Sequence, residues 1–321
     1  MMNEGASPPE GTSNGDYRFT KEIQSMMHAF GDNPIPLQSS VNLVETVVYQ
    51  QMQLLLHRAT DIAVLRGSKS IGIEELLFLM RKDRVKINRL LNYLAVKDMK
   101  ASFLGTIEDA GDNGAVTGDP VSPPKKRKRM CLDYLKTIDQ TGELTEKECQ
   151  PFDSVKHERN VRAELMSQQL DENRYIKYSH ARRVSFKVAY SRSHKLRDWL
   201  LSKGEIPDLP KSSSLVYEIL CYLAYETVAQ IVDLALLVRQ DAAAQPGDAF
   251  SYYVAGFTRM PGYYPPQHTA ELSGKQIGGP PPLTPAEIQE ALRRYWSPQL
   301  CPWSPFSKTV PEYINTRLLT C

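Results

Sequence analysis

Ser212–Arg239 reads SSSLVYEILCYLAYETVAQIVDLALLVR, and Ser39–Arg66 reads SSVNLVETVVYQQMQLLLHRATDIAVLR. Each has the periodicity of one helix that is apolar around most of its circumference, roughly 40 Å long at 1.5 Å rise per residue. In the earlier stretch Val41, Val44, Val48, Met52, Leu55, Ala59 and Ile62 follow the spacing of a buried stripe. Leu43, Val47 and Leu54 add a second apolar side, so packing on both flanks is expected. The later stretch repeats the design with Val216, Ile219, Leu223, Thr227, Ile231, Leu234 and Val238. Helices this apolar belong at the centre of a domain. Two of them in one chain point to a pair.

Composition narrows the class. The chain has 321 residues and a net charge of +2, and its 22 prolines cluster outside the two long helices. Charges along the middle of each, Glu45, His57 and Arg58 in one, Glu226 and Asp233 in the other, argue against membrane spans. Met1–Asp16 is polar and has no apolar run of the kind a secretory signal needs. Cys131, Cys149, Cys221, Cys301 and Cys321 form no CxxC pair, which suits reduced thiols in an intracellular protein. Lys125–Arg129 alone carry five positive charges, so the rest of the chain sums to −3. A protein that lives by gripping phosphates needs a basic folded part, so direct DNA binding is expected to be weak or absent.

The order of parts sets the expected organisation. Residues 1–16, rich in Gly, Ser and Pro, read as a disordered tail. Arg18–Gly31 reads as a short helix, Asn33–Leu37 as a proline-bearing connection, and the long helix then runs to Gly67. Ser70–Ile73 can supply only a very short strand, and Glu74–Arg81 is a third helix. This first unit covers 17–100. Residues 101–175 read as a linker with a weakly helical segment, and 176–321 as a second unit with a long loop at 242–283 and a C-terminal tail. Thr284-Pro285-Ala286-Glu287 is a capping box with proline at the first helical position. Both units run short helix, long helix, short helix, which is the outline of the histone fold. The expected fold class is therefore all-α, with two histone folds in one chain forming an intramolecular pair, joined by a long, partly disordered linker.

Several segments resemble a known family. Glu22–Met27, Glu75–Asp83, Asp139–Leu144, Ala224–Asp241 and Ile288–Arg294 are similar to segments of the Spt-three subunit of the SAGA transcription co-activator. The resemblance covers most of 17–100 and 176–320. It implies a nuclear, non-enzymatic subunit of a SAGA-like complex that contacts the TATA-binding protein and helps deliver it to RNA polymerase II promoters.

Three groups of residues are candidate sites. Pro123-Pro124-Lys125-Lys126-Arg127-Lys128-Arg129 looks like a nuclear import signal, which an importin reads as an extended run of cations. A solvated charge run or a weak DNA patch is the alternative. On the second long helix Glu218, Tyr222, Tyr225, Glu226, Asp233 and Gln240 fall on one side at 100° per residue. Such a strip could complement the basic surface of the TATA-binding protein, or be an ordinary solvent face. Arg66 and Glu75 bracket the connection after the first long helix and suit a structural pair worth about 0–1 kcal/mol.

Catalytic, metal and cofactor readings find no support. There is no HExxH, P-loop or GxSxG signature, and the six histidines share no ligand spacing with the cysteines. The runner-up is a sequence-specific DNA-binding histone-fold factor of the CCAAT-binding kind, which would need basic helices. A unit that cannot cover its own apolar faces makes a prediction: residues 1–100 should stay soluble only when co-expressed with 176–321, as size-exclusion chromatography would show.

Overall fold

The computed structural model describes residues 18–109, 127–144, 152–187, 195–202, 215–243, 281–296 and 318–320. Among them there are ten helices and no strand. The first triplet is α1 (Thr20–Phe30), α2 (Gln38–Leu65) and α3 (Ile73–Met80). Then come α4 (Arg84–Asp109), α5 (Arg127–Ile138), α6 (Ser154–Gln169) and α7 (Glu172–Ala181). A second triplet closes the chain: α8 (Lys195–Leu201), α9 (Leu215–Ala243) and α10 (Pro285–Trp296). The expected tail 1–16 and almost all of the loop 242–283 lie outside the described residues.

The triplets interlock as the intrachain pair requires. The long helices α2 and α9 pack on each other, α1 reaches across to α9, and α8 and α10 reach across to α2. The stripe Val41, Val44, Val48, Met52, Leu55 and Ala59 is buried, as are Ile219, Leu223, Thr227 and Ile231 of α9. One continuous apolar cluster joins both triplets, α4 and α5. Phe19, at the start of α1, meets Trp199 of α8 and Phe186, each at 5.0 Å between ring centroids. By length and composition α9 could cross a membrane, but 78% of its apolar window is buried against the other helices.

Local chemistry sets the helix ends. Glu45, buried on α2, accepts the backbone N–H groups of Arg18 (2.7 Å) and Phe19 (2.9 Å) and so caps the start of α1. Gly31 ends α1 at φ +118°, a conformation open to glycine. No strand forms at Ser70–Gly72; instead the Gly72 N–H donates to Glu75 Oε2 at 2.6 Å, and that side chain turns the backbone directly into α3. At α10 the Thr284–Glu287 capping box forms, with Thr284 N donating to Glu287 Oε2 at 2.7 Å. Arg239 of α9 grips the same carboxylate through Nε at 2.6 Å. Asp32 Oδ1 accepts from Leu283 N at 2.8 Å, tying the α1–α2 connection to the entry of α10.

The structure differs from the expected linker at 101–175. That span contains the end of α4, all of α5 and α6, and the start of α7. Cys131 and Leu135 of α5 join the main core, while Arg162, Ala163 and Met166 of α6 are buried nearby. The segment looks weakly amphipathic because its buried side is partly ionic, and periodicity counts only apolar groups. The C-terminal residues Leu318 and Leu319 are also buried. Gln51 accepts the Leu319 N–H at 2.9 Å, and Lys86 Nζ donates to Leu319 O at 3.1 Å.

Gly31 shows how tightly α6 seats on α1. A Cβ there would lie 2.8 Å from Arg162 Cδ. Gly31→Ala should therefore lower stability by about 1–3 kcal/mol, through the left-handed φ and the displaced arginine together. Urea unfolding followed by circular dichroism measures it.

Candidate functional site

Glu226 and Asp233 stand seven residues apart on α9, two turns along one face. Opposite them α6 presents Arg159 and Arg162 at i,i+3, and α4 presents Arg89. Arg89 holds Asp153 in a fork, Nε to Oδ2 at 2.8 Å and Nη2 to Oδ1 at 2.7 Å, and gives Nη1 to Glu226 Oε2 at 2.9 Å. Arg159 Nη1 meets the same Glu226 oxygen at 2.8 Å, and its Nε pairs closely with Asp233. Arg162 Nη1 reaches Asp233 Oδ1 at 2.9 Å and the Phe30 carbonyl at the end of α1 at 2.7 Å. Asp153 also caps α6, accepting from Lys156 N at 2.9 Å.

This lattice of three arginines and three carboxylates is charge-neutral and joins α1, α4, α6 and α9. Each of its side chains is 22% exposed or less. Burial alone would raise the Glu226 carboxyl, but Arg159 and Arg89 outweigh it and hold the group below its ordinary value. Asp153 follows the same logic: burial pushes it up, and Arg89 and the Lys156 N–H pull it further down. Burial disfavours the charge on Arg89, and Asp153 and Glu226 more than restore it. The chemistry here is cohesion.

The acidic strip expected on α9 is accordingly turned inward. Glu218 pairs with Arg127 at 3.0 Å and Lys187 at 3.5 Å, Tyr222 stacks on Tyr93 at 4.6 Å, and Tyr225 lies 5.0 Å from Phe30. Only the C-terminal end looks outward, with Leu237 45% exposed and Gln240 half-buried. The physical reason is that the arginines that neutralise the acids stand on helices remote in sequence.

The basic run is likewise divided. Lys125 and Lys126 lie outside the described residues, whereas Arg127–Arg129 form the first turn of α5. An extended backbone is therefore not what these three adopt. Asp98 of α4 caps the turn, accepting Lys128 N at 3.0 Å and facing Arg127 Nη1 at 3.2 Å. Between α4 and α5 an apolar cavity of about 520 Å³ is floored by Ala95, Met99, Phe103 and Leu132.

Arg66 and Glu75 do meet, Nε to Oε1 at 3.0 Å, with Glu74 joining at 3.6 Å. Glu75 is fully buried while Arg66 is half-exposed, so the pair braces the α2–α3 connection. Among the described residues no three His, Cys, Asp or Glu side chains converge to hold a metal ion. Burial pushes the thiols of Cys131 and Cys221 up to about 12, so both are protonated at neutral pH. Sequence reading missed Arg89, Asp153, Arg159, Arg162 and Asp98. The one local signal was the i,i+3 spacing of Arg159 and Arg162, common on any helix.

The fold and this ionic core define a class of helical scaffold in which paired triplets bury one another. The family model "Transcription initiation factor IID, 18kD subunit" matches residues 17–108. The SAGA complex subunit Spt3 of Schizosaccharomyces pombe is 28% identical over 233 residues, spanning 69% of this chain and 73% of that protein. Spt3 of Drosophila melanogaster is 29% identical over 280 residues, 85% of this chain and 66% of that protein. TFIID subunit 13 of S. pombe is 30% identical over 101 residues, 32% of this chain and 86% of that protein. Residues 17–108 belong to the family of the 18-kDa TFIID subunits, a histone-fold domain, and over most of its length the chain is similar to the Spt3 subunits of SAGA.

Removing one partner from a buried ionic lattice leaves a charge uncompensated. Asp233→Ala should lower stability by about 3–5 kcal/mol in urea unfolding, whereas Asp233→Leu combined with Arg162→Met, which removes one charge of each sign, should recover most of it. The lattice also sets an acid limit. Glu226 and Asp153 titrate below their ordinary values when folded, so their stabilisation is complete above the unfolded carboxylate value of 4.5 or 3.8. It is lost as pH falls below those values through the folded ones. Thermal melts across an acid pH series should show that fall in the wild type and a blunted one in Glu226→Gln, which lacks one of the two depressed carboxyls.

Proposed function

We propose that this chain is a nuclear, non-enzymatic transcription co-activator subunit of a SAGA-like complex, which contacts the TATA-binding protein and helps deliver it to promoters. The observation that carries the reading is the Spt3 similarity, which extends over 85% of the chain and so reaches past the shared histone-fold domain into the second triplet. The triplets α1–α3 and α8–α10 share one apolar cluster, and α6 is tied to α1 and α9. A scaffold of this kind works by presenting surface to proteins. The CCAAT-binding alternative is disfavoured because the long helices offer acids and apolar groups, and their neutralising arginines are buried.

The contact with the TATA-binding protein is best sought at the outward end of α9, around Leu237 and Gln240. Glu226 and Asp233 support it indirectly, by holding α6. Leu237→Arg should weaken binding to purified TATA-binding protein by about tenfold, the scale of one interface anchor, with an unchanged melting temperature. Equal affinity of variant and wild type removes that edge. Affinity purification of the tagged chain from nuclear extract should recover the remaining SAGA-type subunits.

For import, Lys125 and Lys126 are the part of the basic run outside α5. Replacing both with Ala should shift the protein toward the cytoplasm in fluorescence microscopy without altering its melting curve. An unchanged nuclear distribution argues for entry with a partner.

A further inference from the structure

The first half of α4 is spent on the core: Ile87, Leu90, Leu91 and Leu94 are all buried in the shared apolar cluster. Past Leu94 the same helix changes character. Val96, Met99 and Phe103 are exposed, Met99 at 58% and Phe103 at 64%. Ala95, Met99 and Phe103 recur every four residues and so share one row along the helix. α5 packs beside that row and sets Leu132 against it, and the groove between the two helices holds about 520 Å³. No role described so far uses this groove. Its shape, two helices with an open apolar furrow between them, is the one into which a third helix lays its side chains.

The rim of the groove is cationic. Lys128 and Arg129 line it on the α5 side. Asp98 lines it too, but its oxygens face Arg127 Nη1 and accept Lys128 N, so its charge is already matched. Residues 95–103 and 127–138 carry six cations, Lys97, Lys100, Arg127, Lys128, Arg129 and Lys136, against two acids, Asp98 and Asp133. The crowding of positive charge registers on Lys97. Burial lowers its ammonium below the ordinary value, Glu218 opposes that, and Lys187, Lys100 and Arg127 lower it further. The first turn of α5 borders the groove and adds the positive end of a helix dipole.

We propose that the α4–α5 groove is a docking site for an acidic amphipathic helix of a partner protein. Its apolar residues, at i, i+3, i+4 and i+7, would lie on Ala95, Met99, Phe103 and Leu132, and its acids would face Lys128 and Arg129. An apolar floor within a charged rim is the anatomy of a protein interface. A phosphate backbone would find the cations and leave Met99, Phe103 and Leu132 unmatched. The connection between α4 and α5 does not suit the floor, because 110–126 contains no Leu, Ile, Met or aromatic residue. A second copy of this chain would set its own Lys128 and Arg129 against these, like charge on like. The basic surface of the TATA-binding protein meets the same repulsion. The site therefore stands apart from the contact sought at the end of α9 and does not depend on it.

The test is fluorescence anisotropy of the full-length chain with two labelled synthetic helices. One carries leucines at i, i+3, i+4 and i+7 with glutamates at the remaining positions, and the other has lysines in place of every glutamate. The acidic helix should bind at least about tenfold tighter than the basic one, and added salt should narrow the difference. Met99→Ser with Phe103→Ser changes two side chains already in water, so it should melt like the wild type and weaken the acidic helix by about tenfold. Lys128→Gln with Arg129→Gln should cost the acidic helix a similar factor and leave the basic one unchanged. Lys177→Gln with Arg183→Gln, on the exposed cations of α7, should leave both unchanged. Failure of the acidic helix to bind, equal binding of the two helices, or wild-type affinity in the Met99 and Phe103 variant overturns the proposal. So does loss that follows Lys177 and Arg183 instead. Sedimentation equilibrium showing a dimer of the wild type that Phe103→Ser abolishes would also overturn it and assign the groove to a second copy.

Discussion

α9 has almost no side left for water, and the rest of the structure follows from that constraint. Its apolar faces are met by α1, α2 and α10. Its remaining face carries Glu226 and Asp233, which cannot be buried beside apolar groups unless each charge is matched. Arg89, Arg159 and Arg162 match them, and the helices bearing those arginines are thereby drawn onto the core. α4 and α6 seat against α9 because its acids need their arginines.

Placing both triplets in one chain has a physical consequence. Two separate units associate with an affinity that depends on concentration, whereas a covalent link makes pairing intramolecular at a high effective concentration. The helices between the units add a second level of restraint, because α6 is held to α1 through the Phe30 carbonyl and to α9 through Asp233. Basic residues consequently divide into three populations by environment. The arginines of the lattice are cohesive, Arg127 and Lys128 are recruited to the start of α5, and those of α7 remain available to solvent.

Much of the architecture was legible from local chemistry. The two apolar runs place α2 and α9 to within a few residues, and Thr284 with Glu287 marks the start of α10. Arg66 and Glu75 bracket a short connection, so their approach follows from chain geometry alone. The strip on α9 shows where such reading stops. Its residues do share a face, but an acid bound for a buried lattice and an acid bound for solvent look alike in sequence. The same holds for Arg127, whose place in α5 depends on Asp98, 29 residues away.

The sequence by itself determined the helical class, the two long central helices, their flanking short partners and the family to which they point. Each of these rests on interactions within a few turns of chain, or on apolar periodicity that any partner would satisfy. Tertiary structure alone decided that the strip on α9 faces inward, that α5, α6 and α7 pack on the core, and that α7 keeps an exposed face. The reason is that charge is matched in space: a carboxylate's environment depends on which arginine arrives opposite it, and that is set by the path of the whole chain.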